Sequence, residues 1–206
     1  PSYPEELLLR MMLAVEASGI ALLVVANKSD LVEAHRRIVP RLELLRSLGY
    51  AVVEVSAEAA PVDAVTTLRP WLADSLTVFL GESGMGKSSL VNVLVPGAAQ
   101  ATREVSTALG TGRHTTTFSR LFDLDEAVAP NARIIDSPGF QTFGLAHLSE
   151  SQRVHAMADF RPYLGQCRFH SCTHRQEPGC AIREAAAACR IDALRYRLFT
   201  ELYERD

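Results

Sequence analysis

Long apolar runs are missing from this 206-residue chain, although 48% of it is hydrophobic. No stretch approaches the roughly 18 unbroken apolar residues that a membrane-crossing helix needs, so no membrane partner is expected. Residues 1–10 do not combine a basic start, an apolar middle and a small-residue cleavage site. No export signal is read there, and the expectation is a cytoplasmic monomer. Internal repeats and low-complexity stretches are absent too. A coat of positive charge is also lacking, since the net charge is −3. Any nucleic-acid contact must then be local, and the tail is the better place for it: residues 161–206 hold 8 Lys+Arg against 6 Asp+Glu, whereas residues 1–160 hold 13 against 18. Cysteine does not occur before residue 167. Lysine is nearly absent: Lys28 and Lys87 stand against 19 arginines. A chain that writes arginine almost everywhere keeps the slim point charge at two places where a wide planar fork would not serve.

What is present alternates between two periods. Helical spacing marks residues 5–17, 31–48, 61–74 and 87–95. Short apolar runs at 20–26, 50–55, 76–80, 117–124 and 132–136 predict strands, the first and third buried on both faces. Residues 97–116 are rich in Gly, Thr and Ser without a period and predict a long loop, of the kind that is usually functional or mobile. The alternation predicts an α/β fold, a mostly parallel sheet with helices on both faces. Beyond residue 148 the character changes to helix, then a Cys/His cluster, then an Ala- and Arg-rich helical tail. The expected division is a domain at 1–148 and a small helical metal-binding domain at 149–206.

Gly81-Glu82-Ser83-Gly84-Met85-Gly86-Lys87-Ser88 fits G-x-x-x-x-G-K-[ST] between a strand and a helix, the context that pattern requires. Its N–H groups can turn inward onto phosphate oxygens, assisted by the helix N-terminus. Lys87 is expected on the β- and γ-phosphates and Ser88 on Mg²⁺, with Ser89 in the same first helical turn. Asn27-Lys28-Ser29-Asp30 ends the strand 20–26. In P-loop GTPases such a loop reads guanine, its aspartate accepting from N1–H and the exocyclic amine. Adenine would leave that carboxylate unpaired, which is the source of selectivity. Alone the tetrapeptide is explained by a solvated turn; beside a phosphate loop it favours GTP over ATP. Ser56-Ala57 ends the strand 50–55 and gains weight only from that position, where its backbone amide would meet guanine O6.

Asp136-Ser137-Pro138-Gly139 follows the strand 132–136 as a D-x-x-G loop should. Asp136 is expected to hold Mg²⁺ through water, and the Gly139 N–H to meet the γ-phosphate. Thr115, Thr116 and Thr117 close the long loop, and Thr116 is the expected Mg²⁺ ligand in an order–disorder switch. Where Ras-like proteins place a water-orienting glutamine, this chain has Phe140, with Gln141 one place further. His114 is the candidate to position water, a surface histidine being the plain alternative. The order of motifs is unusual. Common GTPases run phosphate loop, threonine, DxxG, NKxD, SA; this chain runs NKSD, SA, phosphate loop, threonine, DSPG. The expected fold is a circularly permuted P-loop GTPase with all five loops at one sheet edge.

Cys167-x4-Cys172-x-His174-x5-Cys180 offers three thiolates and an imidazole, a set that suits one closed tetrahedral structural Zn²⁺. Spacing alone allows His170 in place of His174. Cys189, among alanines, is expected as a buried small hydrophobe. With NKSD, GESGMGKSSL, GRHTTT, DSPGF and CRFHSCTHRQEPGCAI all present, the chain resembles the circularly permuted, ribosome small-subunit-dependent GTPases of bacteria. The resemblance runs from the NKSD loop to the tail. It implies Cys167, Cys172, His174 and Cys180 as the zinc ligands. It implies hydrolysis of GTP to GDP, stimulated by the small (30S) ribosomal subunit during its late maturation, with rRNA as partner. It also implies an RNA-binding OB-fold domain that would precede the NKSD part, since this chain starts after where that domain would end. Arg161, Arg168, Arg175, Arg190, Arg195 and Arg197 are the residues expected to meet rRNA phosphate. The competing expectation is a nucleotide-gated RNA- or ribosome-binding module with negligible turnover, which Phe140 favours.

Overall fold

The computed structural model describes residues 5–98, 119–139 and 143–205. Their elements run α1 (Glu5–Ala17), β1 (Leu23–Ala26), α2 (Val32–Ser47), β2 (Ala51–Glu54), α3 (Pro61–Leu72), β3 (Leu76–Phe79), α4 (Lys87–Leu94), β4 (Arg120–Asp123) and β5 (Arg133–Asp136). There follow α5 (Glu150–Ala156), a 3-10 turn (Ala158–Tyr163), α6 (Ala181–Ala187) and α7 (Ala193–Arg205). Packing divides the chain into two compact units, Leu23–Gln141 in one and Ser2–Leu22 with Thr142–Asp206 in the other.

In the first unit β1 and β2 pair in parallel, with Leu23 opposite Ala51 and Ala26 opposite Glu54. β3 and β5 are parallel as well, with Phe79 opposite Asp136, and β4 is antiparallel to β5. Hydrogen bonding among the described residues gives two sheets, β1–β2 and β3–β5–β4. α3 turns Ala64, Leu68 and Leu72 to one side, a four-residue spacing that stacks them on a single helical face. α4 contributes Leu90, Val91 and Leu94, and both helices close a core with Val55, Leu124 and Ile134. Burial of each such leucine contributes about 1.5–3 kcal/mol.

The other side of the three-stranded sheet departs from a strand buried on both faces. Leu76 and Val78 are 51% and 48% exposed, and Leu121 is 54% exposed. Val78 lies opposite Ile135 and Ile135 opposite Leu121, so the three form one row across the sheet. Phe79, on the alternate face, joins the core instead. A run such as LTVFL is apolar on both sides in sequence, and what covers each side is decided by tertiary packing.

The second unit gathers α1 with the C-terminal helices, which differs from a division at residue 148. Its core contains Leu9 and Leu13 of α1 together with Leu145, Met157, Phe160, Ile182, Phe199 and Leu202. The reason is length. α5 and α6 have seven residues each, too few to be stable alone or to enclose a core, and α1 supplies a third, longer apolar surface. Ser149 starts α5 with a capping box: its hydroxyl accepts from Gln152 N–H at 3.2 Å, and the Gln152 side chain accepts from Ser149 N–H at 2.9 Å. Phe160 meets Phe199 edge-on with ring centroids 4.7 Å apart. Beside them the buried Arg195 guanidinium donates to both Asp159 carboxylate oxygens at 3.0 Å, so neither charge is left uncompensated. Cys189 is corrected by the structure. α6 ends at Ala187, and Cys189 sits beyond it, exposed, in a left-handed turn with φ 54°. A longer helix would have been needed to bury it.

Candidate functional site

Each loop singled out by its motif follows the carboxyl end of a parallel strand: Asn27–Asp30 after β1, Ser56-Ala57 after β2, Gly81–Ser88 after β3, and Ser137–Gly139 after β5. Open α/β sheets place ligands at that edge. Side chains then tie the loops together. The Asn27 carbonyl oxygen accepts from Ala57 N–H at 3.1 Å and from Lys28 N–H at 2.8 Å. Its amide nitrogen donates to the Met85 and Gly86 carbonyls at 3.4 and 3.3 Å. Lys28 holds a left-handed backbone, φ 65°, and its ammonium donates to Gly84 O at 2.8 Å. The Ser56 hydroxyl donates to the Asp30 carboxylate, and Ser29 N–H donates to Val55 O at 3.1 Å. Three loops far apart in sequence are thus joined through Asn27, Lys28 and Ser56.

At the phosphate loop, Lys87 bends back so that its ammonium donates to Gly81 O at 2.7 Å and Glu82 O at 2.9 Å. Burial pushes the Lys87 pKa down, and the Asp136 and Glu82 carboxylates oppose that. Asp136 is 6% exposed. Burial pushes its carboxyl up, and the Lys87 charge pulls it back down. Its Oδ1 is a buried acceptor with no hydrogen-bond partner among the described residues. A buried orphan oxygen is costly and calls for a donor or a cation. Ser88 and Ser89 stand in the first turn of α4, hydroxyl-bearing residues at the same loop. The donor set of Asp136 and Ser88, hard oxygens only, suits Mg²⁺.

Two features of the D-x-x-G loop were not legible from its motif. The Ser137 hydroxyl donates to Phe79 O, fastening the loop to the end of β3. Gly139 approaches the phosphate loop so closely that a Cβ there would stand 2.7 Å from Ser83 N and 2.8 Å from Ser83 Cα. No side chain fits that contact. The motif pattern was the sole sequence signal near either. His114, Thr115, Thr116, Thr117, Phe140 and Gln141 lie outside the described residues.

In the second unit the ligand atoms of Cys167, Cys172, His174 and Cys180 all fall within 4.8 Å of one another. His174 Nδ1 is 3.5 Å from the Sγ atoms of both Cys167 and Cys180, and those sulfurs are 3.9 Å apart. Such spacing encloses a tetrahedral ion without rearrangement. His174 lies in this cluster, whereas His170 is exposed and outside it. Burial pushes the Cys172 thiol up to about 12, raises Cys180 as well, and lowers His174. A neutral imidazole is the form that ligates, and a divalent ion is the partner that turns such thiols into thiolates. The surrounding loop is built around Glu177. Its carboxylate accepts from Thr173 N–H at 2.8 Å, from the Thr173 hydroxyl at 2.6 Å, and from Arg175 and Gln176 N–H at 3.2 Å. The Thr173 hydroxyl is the main cause of a carboxyl pKa far below the usual range. From α7 the Tyr196 hydroxyl donates to His174 O at 2.7 Å, which holds the left-handed turn, φ 64°, that aims the imidazole.

Similarity to known proteins follows both halves of this arrangement. The family model described as RsgA GTPase matches residues 1–146. A small ribosomal subunit biogenesis GTPase RsgA of Burkholderia mallei (strain SAVP1) is 51% identical over 202 residues, which is 98% of this chain and 63% of that protein. The protein of the same description in Paraburkholderia phytofirmans is 51% identical over 203 residues, 98% of this chain and 64% of its own. The chain therefore spans somewhat under two thirds of the length of these curated relatives. Among solved structures, that of YloQ, a circularly permuted GTPase, gives a TM-score of 0.75 at 27% identity, covering 100% of this chain and 65% of that one. YjeQ from Thermotoga maritima gives 0.76 at 27% identity, covering 99% and 66%. The fold is thus the circularly permuted GTPase fold, with a Cys3His cluster in its C-terminal part.

Proposed function

The chain belongs to the RsgA GTPase family, and on that premise we propose that it binds GTP and hydrolyses it to GDP and phosphate as a switch in late maturation of the small ribosomal subunit. The observation that carries this reading is the junction at Asn27, where one side chain bonds to the Ser56-Ala57 loop and to the phosphate loop. A base-reading loop and a phosphate-binding loop fixed to one another at that distance form a single nucleotide pocket.

Each residue then takes a role its position supports. Asp30, aligned by the Ser56 hydroxyl, accepts from guanine N1–H and the exocyclic amine. The Lys28 stem lies along the base, and the Ala57 amide is available to guanine O6. Residues Gly81 to Lys87 wrap the phosphates with backbone N–H groups, and Lys87 leaves the Gly81 and Glu82 carbonyls for the β- and γ-oxygens. Ser88, Thr116 and Asp136 are the residues that would hold Mg²⁺, which would supply neutralisation of charge on the phosphoryl group. Gly139 N–H donates to the γ-phosphate. A water oxygen attacks the γ-phosphorus, the bond from that phosphorus to the β–γ bridging oxygen breaks, GDP leaves with the bond electrons, and the water's protons stay on the released phosphate or pass to solvent. His114 positions that water. Cys167, Cys172, His174 and Cys180 hold one structural Zn²⁺. The exposed tail arginines Arg161, Arg168, Arg190 and Arg197 meet rRNA phosphate, whereas Arg195 is buried against Asp159 and is no such contact. The chain acts as a cytoplasmic monomer, and the unit Leu23–Gln141 carries the nucleotide loops.

An Asp30→Asn protein is the test of the base assignment. Its GTP affinity is expected to fall about 10- to 100-fold, with xanthine nucleotides gaining in proportion. Unchanged GTP preference would remove Asp30 from the pocket. Phe140 in place of the water-orienting glutamine favours a second reading, a nucleotide-gated binding module that hardly turns over. Hydrolysis of GTP and ATP, each with and without small ribosomal subunits, separates the two. Stimulated GTP turnover supports the enzyme, and full GTP binding with no turnover in either condition supports the module. A His114→Ala protein is expected to keep its nucleotide affinity and lose about 100-fold in stimulated turnover. Full turnover would leave His114 a surface residue.

A further inference from the structure

We propose that the loop Arg168-Phe169-His170-Ser171 is a stacking platform for an unpaired RNA base. The inference rests on the proposed contact of the tail with rRNA, and it names the element and the form of RNA. All four residues are exposed, and they lie between the metal ligands Cys167 and Cys172. The loop is pinned at more than its ends. Arg168 N–H donates to Gly179 O at 2.9 Å, and Cys172 N–H donates to Phe169 O at 3.3 Å. The Arg168 stem lies along Gly179, where a Cβ would stand 3.1 Å from Arg168 Cβ; that glycine also holds φ 70°.

This seating places the Arg168 guanidinium 5.5 Å from the centre of the Phe169 ring, and the ring is still 43% exposed. An aromatic ring held out on a stiff loop is apolar area that folding does not use. Its surroundings decide what it awaits. Phe169 stands between Arg168 and His170, with no neighbouring apolar side chain in its loop to extend it into the broad patch a protein partner would cover. Of the neighbouring arginines, Arg161 pairs with Glu16 and Arg175 with Glu150 at 3.7 Å, so the cation at the ring is Arg168. A flat ring and a planar guanidinium side by side match a base with its adjacent phosphate. They match an unpaired base specifically, because the faces of paired bases are hidden in a duplex and the deep groove of A-form RNA excludes side chains.

The zinc-loaded 206-residue chain is titrated into a single-stranded 12-nucleotide RNA carrying one 2-aminopurine, and into the same RNA as a duplex. Wild type is expected to bind the single strand with a change in 2-aminopurine fluorescence, and the duplex more weakly. Phe169→Leu keeps an apolar side chain without a π-face and is expected to weaken binding about 5- to 100-fold, with an unchanged salt slope; Phe169→Trp is expected to retain it. Arg168→Gln, by contrast, is expected to reduce the salt slope. Zinc stoichiometry checks that each variant is folded. Equal binding by wild type and Phe169→Leu, or binding without a fluorescence change, or equal affinity for the duplex, overturns the platform and leaves RNA binding by the tail intact. Absence of binding to either RNA overturns the platform and the RNA reading together, and leaves GTP hydrolysis untouched.

Discussion

Lys87→Arg is expected to lose GTP turnover almost as completely as Lys87→Ala, by about 100- to 1000-fold, although it keeps the charge. The reason lies in how Lys87 is seated. A single ammonium nitrogen donates to the carbonyls of two consecutive residues, Gly81 at 2.7 Å and Glu82 at 2.9 Å, inside a loop that winds around it. A guanidinium spreads its donors over a plane and cannot converge on that point, so the loop must open or the fork must leave it. Lys87 is also the cation that restrains the rise of the Asp136 carboxyl. Alanine removes that restraint, and arginine displaces it. Melting temperature should move little in either variant, because the lysine is only half buried and its ammonium bonds to loop carbonyls rather than to the core. Turnover of Lys87→Arg within a few-fold of wild type would show that charge alone suffices. The restriction of lysine to positions 28 and 87 would then carry no chemical meaning.

Much of the fold was legible because its elements are short and bounded by punctuation. Gly19 and Gly49 close α1 and α2, Pro61 opens α3, and the strands end in polar motifs. The motif order disclosed the permutation, since order survives in sequence even when space does not. What stayed hidden depends on which surfaces meet. LTVFL reads as buried on both sides, yet Leu76 and Val78 are half exposed. α1 reads as the first helix of a nucleotide domain, yet its leucines complete a core whose other members lie beyond residue 143. The same limit applies within the sites. Four candidate ligands and a second histidine were visible, but only backbone geometry brings His174 to the cluster, through a left-handed turn held by Tyr196 and the loop around Glu177. Ser56 had only its position after β2 to recommend it. Its hydroxyl bond to Asp30 gives it a task that no dipeptide pattern encodes.

Removing the metal is expected to unfold the C-terminal helices rather than merely loosen a loop. Cys180 is 1% exposed, and its sulfur accepts from Arg183 N–H at 3.5 Å, so the ligand is also the cap of α6. Two residues on, Ile182 is fully buried in the core that holds Phe160 and Phe199. His174 is tied to α7 through the Tyr196 hydroxyl. The cluster therefore joins α6 and α7, and a seven-residue helix has little stability of its own. Structural zinc contributes about 10–16 kcal/mol in small zinc-finger peptides, as much as or more than the roughly 5–15 kcal/mol that holds a typical domain. A strong chelator, or Cys180→Ala, should lower the melting temperature of this unit by about 20 °C or more. Amide protection should vanish first in residues 181–187 and 193–202. His174→Ala should lose the metal, whereas His170→Ala and Cys189→Ala, both at exposed positions outside the cluster, should keep one ion per chain. Retention of metal by His174→Ala with its loss in His170→Ala would transfer the fourth ligand to the exposed loop. Unchanged protection after complete metal removal would mean that the apolar core of Leu9, Met157, Phe160 and Phe199 holds the helices without the ion.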